Sequence, residues 1–135
     1  MQNSTKLHRQ VHPKMIQDNK ISVQVFEVDP TPVQNIFSAV LAPKPSDNAK
    51  LSVYNGDKYT AEESFNHYTQ KLEAIGVVTV TVEECQNISL PAKEDNDPFD
   101  GHSHINFEGL SKNQVKAKAQ LLKAAAVRRN WTFKR

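Results

Sequence analysis

Gly76-Val77-Val78-Thr79-Val80-Thr81-Val82 is the most β-branched run in the chain, and its reading decides the fold. Side chains alternate along an extended strand, so Val78, Val80 and Val82 share one face while Val77, Thr79 and Thr81 share the other. One fully apolar face and one mixed face describe an interior strand covered by helices. Just upstream, Thr60-Ala61-Glu62-Glu63 has the form of a capping box, and Ala61, Phe65, Tyr68, Leu72 and Ile75 follow at spacings of three and four. That spacing predicts a helix reaching Ile75, with Gly76 as its left-handed C-terminal residue. Ahead of it, Leu51-Ser52-Val53-Tyr54 reads as a short strand closed by Asn55-Gly56. Strand, helix, strand in this order predicts a right-handed crossover into the valine run. Thr81-Val82-Glu83-Glu84 repeats the capping pattern and predicts a short helix through Cys85 and Ile88, stopped near Pro91.

Toward the N-terminus, Leu7 to His12 alternates until Pro13, as an edge or near-edge strand would. Ile21 to Phe26 also alternates, and the intervening Asp18-Asn19-Lys20 turn lets the two pair antiparallel. Thr31, Pro32 and Gln34 can open a helix whose apolar positions are Val33, Ile36, Phe37, Val40 and Leu41, before a turn at Ser46-Asp47-Asn48. Toward the C-terminus, Ala92 to Gly101 reads as a solvent-facing acidic loop in which Phe99 is the one large apolar side chain. Ser103 to Phe107 can add a last strand with Ile105 and Phe107 inward. Ser111 and Gln114 then cap a long helix to about Asn130, with Val115, Ala119, Leu122 and Ala126 as its core stripe. Trp131 and Phe133 return to the core or to a sheet edge. The whole predicts one α+β domain over residues 1–135, with a small mixed sheet of about five strands and three to four helices packed mainly on one face.

A chain of 135 residues, 38% apolar and 24% charged, can bury a core without staples. No apolar run approaches the roughly 20 residues of a membrane span, and Met1 to Gln10 is polar, without a secretory segment. Cys85 stands alone, so no internal disulfide forms, and a reducing cytoplasm is the expected compartment. The net charge of +2 hides a partition: residues 111–135 carry +8 with no acid, residues 1–20 carry +3, and residues 21–110 carry −9. A basic end of this kind marks an acidic partner or a surface complementary to the chain's own acidic middle.

Three constellations carry chemistry. Lys112, Lys116, Lys123, Arg128 and Arg129, with Trp131 as a stacking ring, form a basic end suited to an acidic protein surface or to nucleic acid. His102 and His104, two apart in an extended segment, share a face and can meet one metal beside Asp97 or Asp100. Arg9 and His12, joined by His8, His67 or His102, can hold a phosphate and move a proton, although a regular strand puts Arg9 and His12 on opposite faces. His67, between Glu63 and Lys71, reads as solvated, and Cys85, beside Glu83 and Glu84, as a small buried side chain. Phosphate-cradling glycine loops, nucleophile elbows and dinucleotide fingerprints are missing, so no cofactor is expected. The first functional reading is a non-catalytic cytoplasmic module whose basic helix docks an acidic partner, a protein before a nucleic acid. The alternative is a small enzyme of phosphate-bearing or nucleotide substrates working through Arg9, His12 and His102.

Overall fold

The strand expected at or near an edge lies at the middle. In the computed structural model, which describes residues 1–16, 38–43 and 48–135, β1 (Lys6–Val11) runs between β2 (Lys50–Asn55) and β3 (Gly76–Thr81). β3 pairs with β1 along its whole length, from Lys6 opposite Thr81 to Val11 opposite Gly76. β4 (Ala92–Glu94), β5 (His102–Asn106) and β6 (Phe133–Lys134) complete a six-stranded sheet in the order β4-β5-β2-β1-β3-β6. The α+β class holds, but every described pairing is antiparallel. β2 and β3 do run parallel, as strand, helix, strand requires, yet β1 fills the place between them. The strand expected over Ile21 to Phe26, the start of the helix expected from Thr31 and the Ser46-Asp47 turn lie outside the described residues.

Alternation along β3 distributes the core as its residue types dictate. Val78, Val80 and Val82 join Leu7, Val11, Leu51, Val53 and Ile105 in the main apolar cluster. That face is covered by α2 (Val82–Gln86), by α3 (Lys112–Arg129) through Leu122, Ala125 and Ala126, and by Val40 and Leu41 of a 3-10 turn, Ser38–Leu41. Among the described helices, the opposite face receives α1 (Ala61–Tyr68), whose Phe65 packs on Val77 and Ala74. Capping boxes at Thr60/Glu63, Thr81/Glu84 and Ser111/Gln114 open the three described α-helices, each with both reciprocal hydrogen bonds made.

Two expectations about the helix before β3 change. α1 ends at Tyr68, where Thr69 Oγ1 donates back to the Phe65 carbonyl at 2.7 Å, and Leu72 is left 59% exposed. Gly76 opens β3 instead of ending a helix, because the Trp131 ring and the Phe133 carbonyl would both lie 2.7 Å from a Cβ there. The acidic segment also holds more structure than a loop. Its first residues form β4 on the edge of β5, with Ala92 opposite Ile105 and Glu94 opposite Ser103.

Candidate functional site

The register sets one row of side chains across four strands. Thr79 of β3 faces His8 of β1, His8 faces Tyr54 of β2, and Tyr54 faces His102 of β5. All four point to the α1 side, where α1 packs against β1, β3 and β6 and leaves the β2 and β5 end open. That end is a cleft of about 520 Å³, lined among the described residues by His8, Arg9, Gln10, Ser52, Val53, Tyr54, His67 and Tyr68 at the end of α1, Gln70, Lys71 and Leu72 beyond it, and Pro98, Phe99 and His102.

Two histidines of the row are held in different ways. His8 is buried, and its Nε2 faces the Tyr59 carbonyl at 3.1 Å, so Nε2 carries the proton and Nδ1 accepts from Thr79 Oγ1 at 2.8 Å. Burial pulls its pKa down to about 4, the Tyr59 hydrogen bond opposes this, and the Lys6 charge adds to the fall. His8 is thus a neutral floor residue with both nitrogens used. His102 presents Nδ1 to Asp95 Oδ1 at 2.5 Å, and since a carboxylate only accepts, Nδ1 carries the proton. The second Asp95 oxygen takes the Nδ1 proton of His104 at 2.9 Å. Burial works to raise the Asp95 carboxyl, but the His102 and His104 hydrogen bonds outweigh it and hold its pKa below the usual carboxylate range.

Rings fill the wall. Phe99 lies 4.9 Å from Tyr54, 4.5 Å from His67 and 5.3 Å from His102, centroid to centroid. Tyr59 stands edge-on to Tyr54 at 5.1 Å and lies against position 101, which requires glycine because φ is +98° there and a Cβ would meet the Tyr59 ring at 2.5 Å. The 95–101 segment is tied down by Lys58 Nζ on Asp100 at 2.6 Å and by Gly101 N–H on Asn96 Oδ1 at 2.9 Å. Tyr54 Oη meets His67 Nδ1 at 2.8 Å. Burial raises the Tyr54 phenol well above its ordinary value, so the hydroxyl keeps its proton. His67 is therefore a bonded member of the wall and not a solvated helix residue.

The candidates read from sequence are placed unevenly. His102 lines the cleft; His12 does not, capping the Pro13–Met15 turn and facing Glu73 at 3.7 Å. Arg9 reaches the cleft edge from the apolar side, donating Nε to the Val40 carbonyl and Nη1 to the Ser52 carbonyl. His102 and His104 do share a face, but Asp95, not Asp97 or Asp100, lies between them and is taken up by hydrogen bonds to both, and among the described residues no group of three such side chains is placed to hold a metal ion. On α3, Arg129 is drawn into the fold by Glu84, at 2.9 and 3.2 Å, and by the Thr79 carbonyl. Trp131 packs against the main core. Lys112, Lys116, Lys123 and Arg128 meet no carboxylate among the described residues. Cys85 is buried, and burial with the nearby Glu84 charge pushes its thiol up to about 12.

As members of a site, Tyr54, Tyr59, Phe99 and Asp95 escaped the sequence reading. Alternation alone places His8, Tyr54 and His102 on one kind of face in their own strands, but only the pairing order puts them in one row. Phe99, alone among acids, was the visible sign that the acidic segment folds back. Comparison of the chain with protein-family models, curated proteins and solved structures returns no match.

Proposed function

We propose that the histidine and aromatic cleft binds a phosphate-bearing, ring-containing substrate of the nucleotide kind. The observation that carries this reading is a cleft of about 520 Å³ that combines a wall of edge-on and tilted rings with Lys71 and has no carboxylate in its described lining. Sites of roughly 300 to 1,000 Å³ take small ligands. The half-buried Phe99 ring gives a base a stacking surface, and the exposed Lys71 ammonium gives a phosphate its counter-charge.

Titration calorimetry with the four ribonucleoside monophosphates at low salt tests it. Binding of at least one is expected, weakened about 5- to 100-fold by Phe99→Ala, since a stacked base contributes roughly 1 to 3 kcal/mol. If none of the four binds at millimolar concentration, the reading fails.

A second reading rests on a separate observation. Lys112, Lys116 and Lys123 recur on one flank of α3 without acids, and with Arg128 they suit an acidic protein surface, or failing that nucleic acid. Salt-sensitive retention on heparin, lost when these four become Gln, supports it; passage through the column at low salt removes it. A reducing compartment such as the cytoplasm suits the lone buried thiol of Cys85.

A further inference from the structure

Of the five histidines, three are already committed. His8 uses both ring nitrogens within the sheet, His104 is buried behind Asp95, and His12 lies outside the cleft. His67 and His102 differ from these. Each lines the cleft, each has Nδ1 engaged, and neither has a partner at Nε2 among the described residues. Both rings contact Phe99, so two available imidazole nitrogens flank one stacking surface, with Lys71 on the same wall.

We propose that this pair cleaves RNA by internal transesterification, with His102 as general base and His67 as general acid. The inference rests on the nucleotide-binding reading above and adds the chemistry to it. The partners at Nδ1 divide the roles. The Asp95 carboxylate only accepts, so it keeps the His102 proton on Nδ1 and leaves Nε2 as a lone pair; it also stabilises the imidazolium formed when Nε2 takes a proton. The Tyr54 hydroxyl both donates and accepts, so His67 can hold protons on both nitrogens, with Nδ1–H on Tyr54 Oη and Nε2–H free to be given away.

Such a site offers a base, an acid and a cation. It has no thiol in its described lining, and its own hydroxyls are those of Ser52 and the tyrosines. The substrate class that matches brings its own nucleophile next to the phosphorus, as the ribose 2′-hydroxyl does. His102 Nε2 takes the 2′-hydroxyl proton as the 2′-oxygen bonds to phosphorus. The bond from phosphorus to the 5′-oxygen breaks, and that oxygen takes the Nε2 proton of protonated His67. The products are a 2′,3′-cyclic phosphate end and a 5′-hydroxyl end, and exchange with water restores both histidines. No oxidant, reductant or second substrate enters. Asp95 is a positioning residue, acting through His102.

Cleavage of a mixed-sequence fluorescent oligoribonucleotide tests the inference, with the all-deoxy oligomer alongside and all variants purified identically. Expected are 2′,3′-cyclic ends from RNA, no cutting of DNA, and losses of about 10²- to 10⁴-fold in His102→Gln and in His67→Gln, each still folded with a melting temperature lowered by no more than about 8 °C. Asp95→Asn is expected to lower kcat with KM within about twofold, a split that general loosening of the cleft would not give. His12→Gln, outside the cleft, retains the wild-type rate. Intact RNA after prolonged incubation with wild-type protein overturns the proposal, as does cutting that persists undiminished in both histidine variants. Nucleotide binding by calorimetry without cleavage overturns the chemistry and leaves the binding reading standing; loss of both removes both.

Discussion

On one face of the sheet, Leu7, Leu51, Val78, Val80 and Ile105 meet α2, α3 and the Ser38–Leu41 turn in a closed apolar cluster. On the other, the same strands present Thr79, His8, Tyr54 and His102, and α1 covers only part of the row. The two faces come from alternate residues of one set of strands, so their difference cannot come from backbone architecture. It comes from side-chain chemistry. Apolar side chains need only a lid, and an Ala-rich helix supplies one. Buried polar groups call for named partners: His8 takes Thr79 and Tyr59, Gln10 Nε2 takes Ser64 while its Oε1 has none among the described residues, and His104 takes Asp95. The first face is therefore held by area and the second by specific pairs, and the second can leave an opening without losing its order.

The largest way to break that contrast is to damage the first face. Leu122→Ala removes a fully buried side chain between α3 and the valine strand, and the expected loss is about 2 to 5 kcal/mol, read from urea denaturation. A loss under about 1 kcal/mol would mean that α3 packs loosely and that the apolar cluster is not what holds the sheet.

The next effect belongs to the second face and depends on pH. Burial takes the His8 pKa from its ordinary 6.5 down to about 4 in the folded protein. Between these values the unfolded chain binds a proton that the folded chain refuses, so stability falls as pH falls through this window, by up to about 3 kcal/mol in all. Glu84 and Asp95 run the other way in origin. Their pKa values are lowered by folding, so the stability they contribute is present above the ordinary carboxylate range and lost only as pH drops below it. Urea midpoints at pH 7 and pH 4.5 isolate the histidine: wild type is expected to lose roughly 2 to 3 kcal/mol more than His8→Gln. Equal losses would show that His8 is not the group responsible.

The first face was legible in the sequence almost residue by residue. Period-2 spacing assigned Val78, Val80 and Val82 to it and period-3.6 spacing assigned Val115, Ala119, Leu122 and Ala126; Val115 is partly buried against the cluster and the other six are buried. Apolar patterning is a local signal, and the capping boxes at Thr60, Thr81 and Ser111 are local too. The second face was not legible, because its meaning lies in which strand neighbours which. With β1 read as an edge, His8 had no Thr79 beside it and no Tyr54 across from it. Leu7 to Val11 carries no mark that separates a central strand from an edge one, since Arg9 in its middle suits either. The bond between Asp95 and His102 spans seven residues and needs β4 to form first, and a three-residue strand, Ala92–Glu94, has too little periodicity to be seen.

The smallest effect probes where the two faces diverge most, at the open end of the row. Tyr54→Phe keeps the ring against Tyr59 and Phe99 and removes only the hydroxyl bonded to His67 Nδ1. His67 is part-exposed, so water can replace the lost partner, and the expected cost is about 0.5 to 1.5 kcal/mol by urea denaturation. The ring contacts should persist, which a nuclear Overhauser effect between Phe99 and the residue 54 ring would report. A cost above about 3 kcal/mol would mean that the hydroxyl organises the wall as Leu122 organises the core, and the second face would then be a core with a gap in it and not a set of separable pairs.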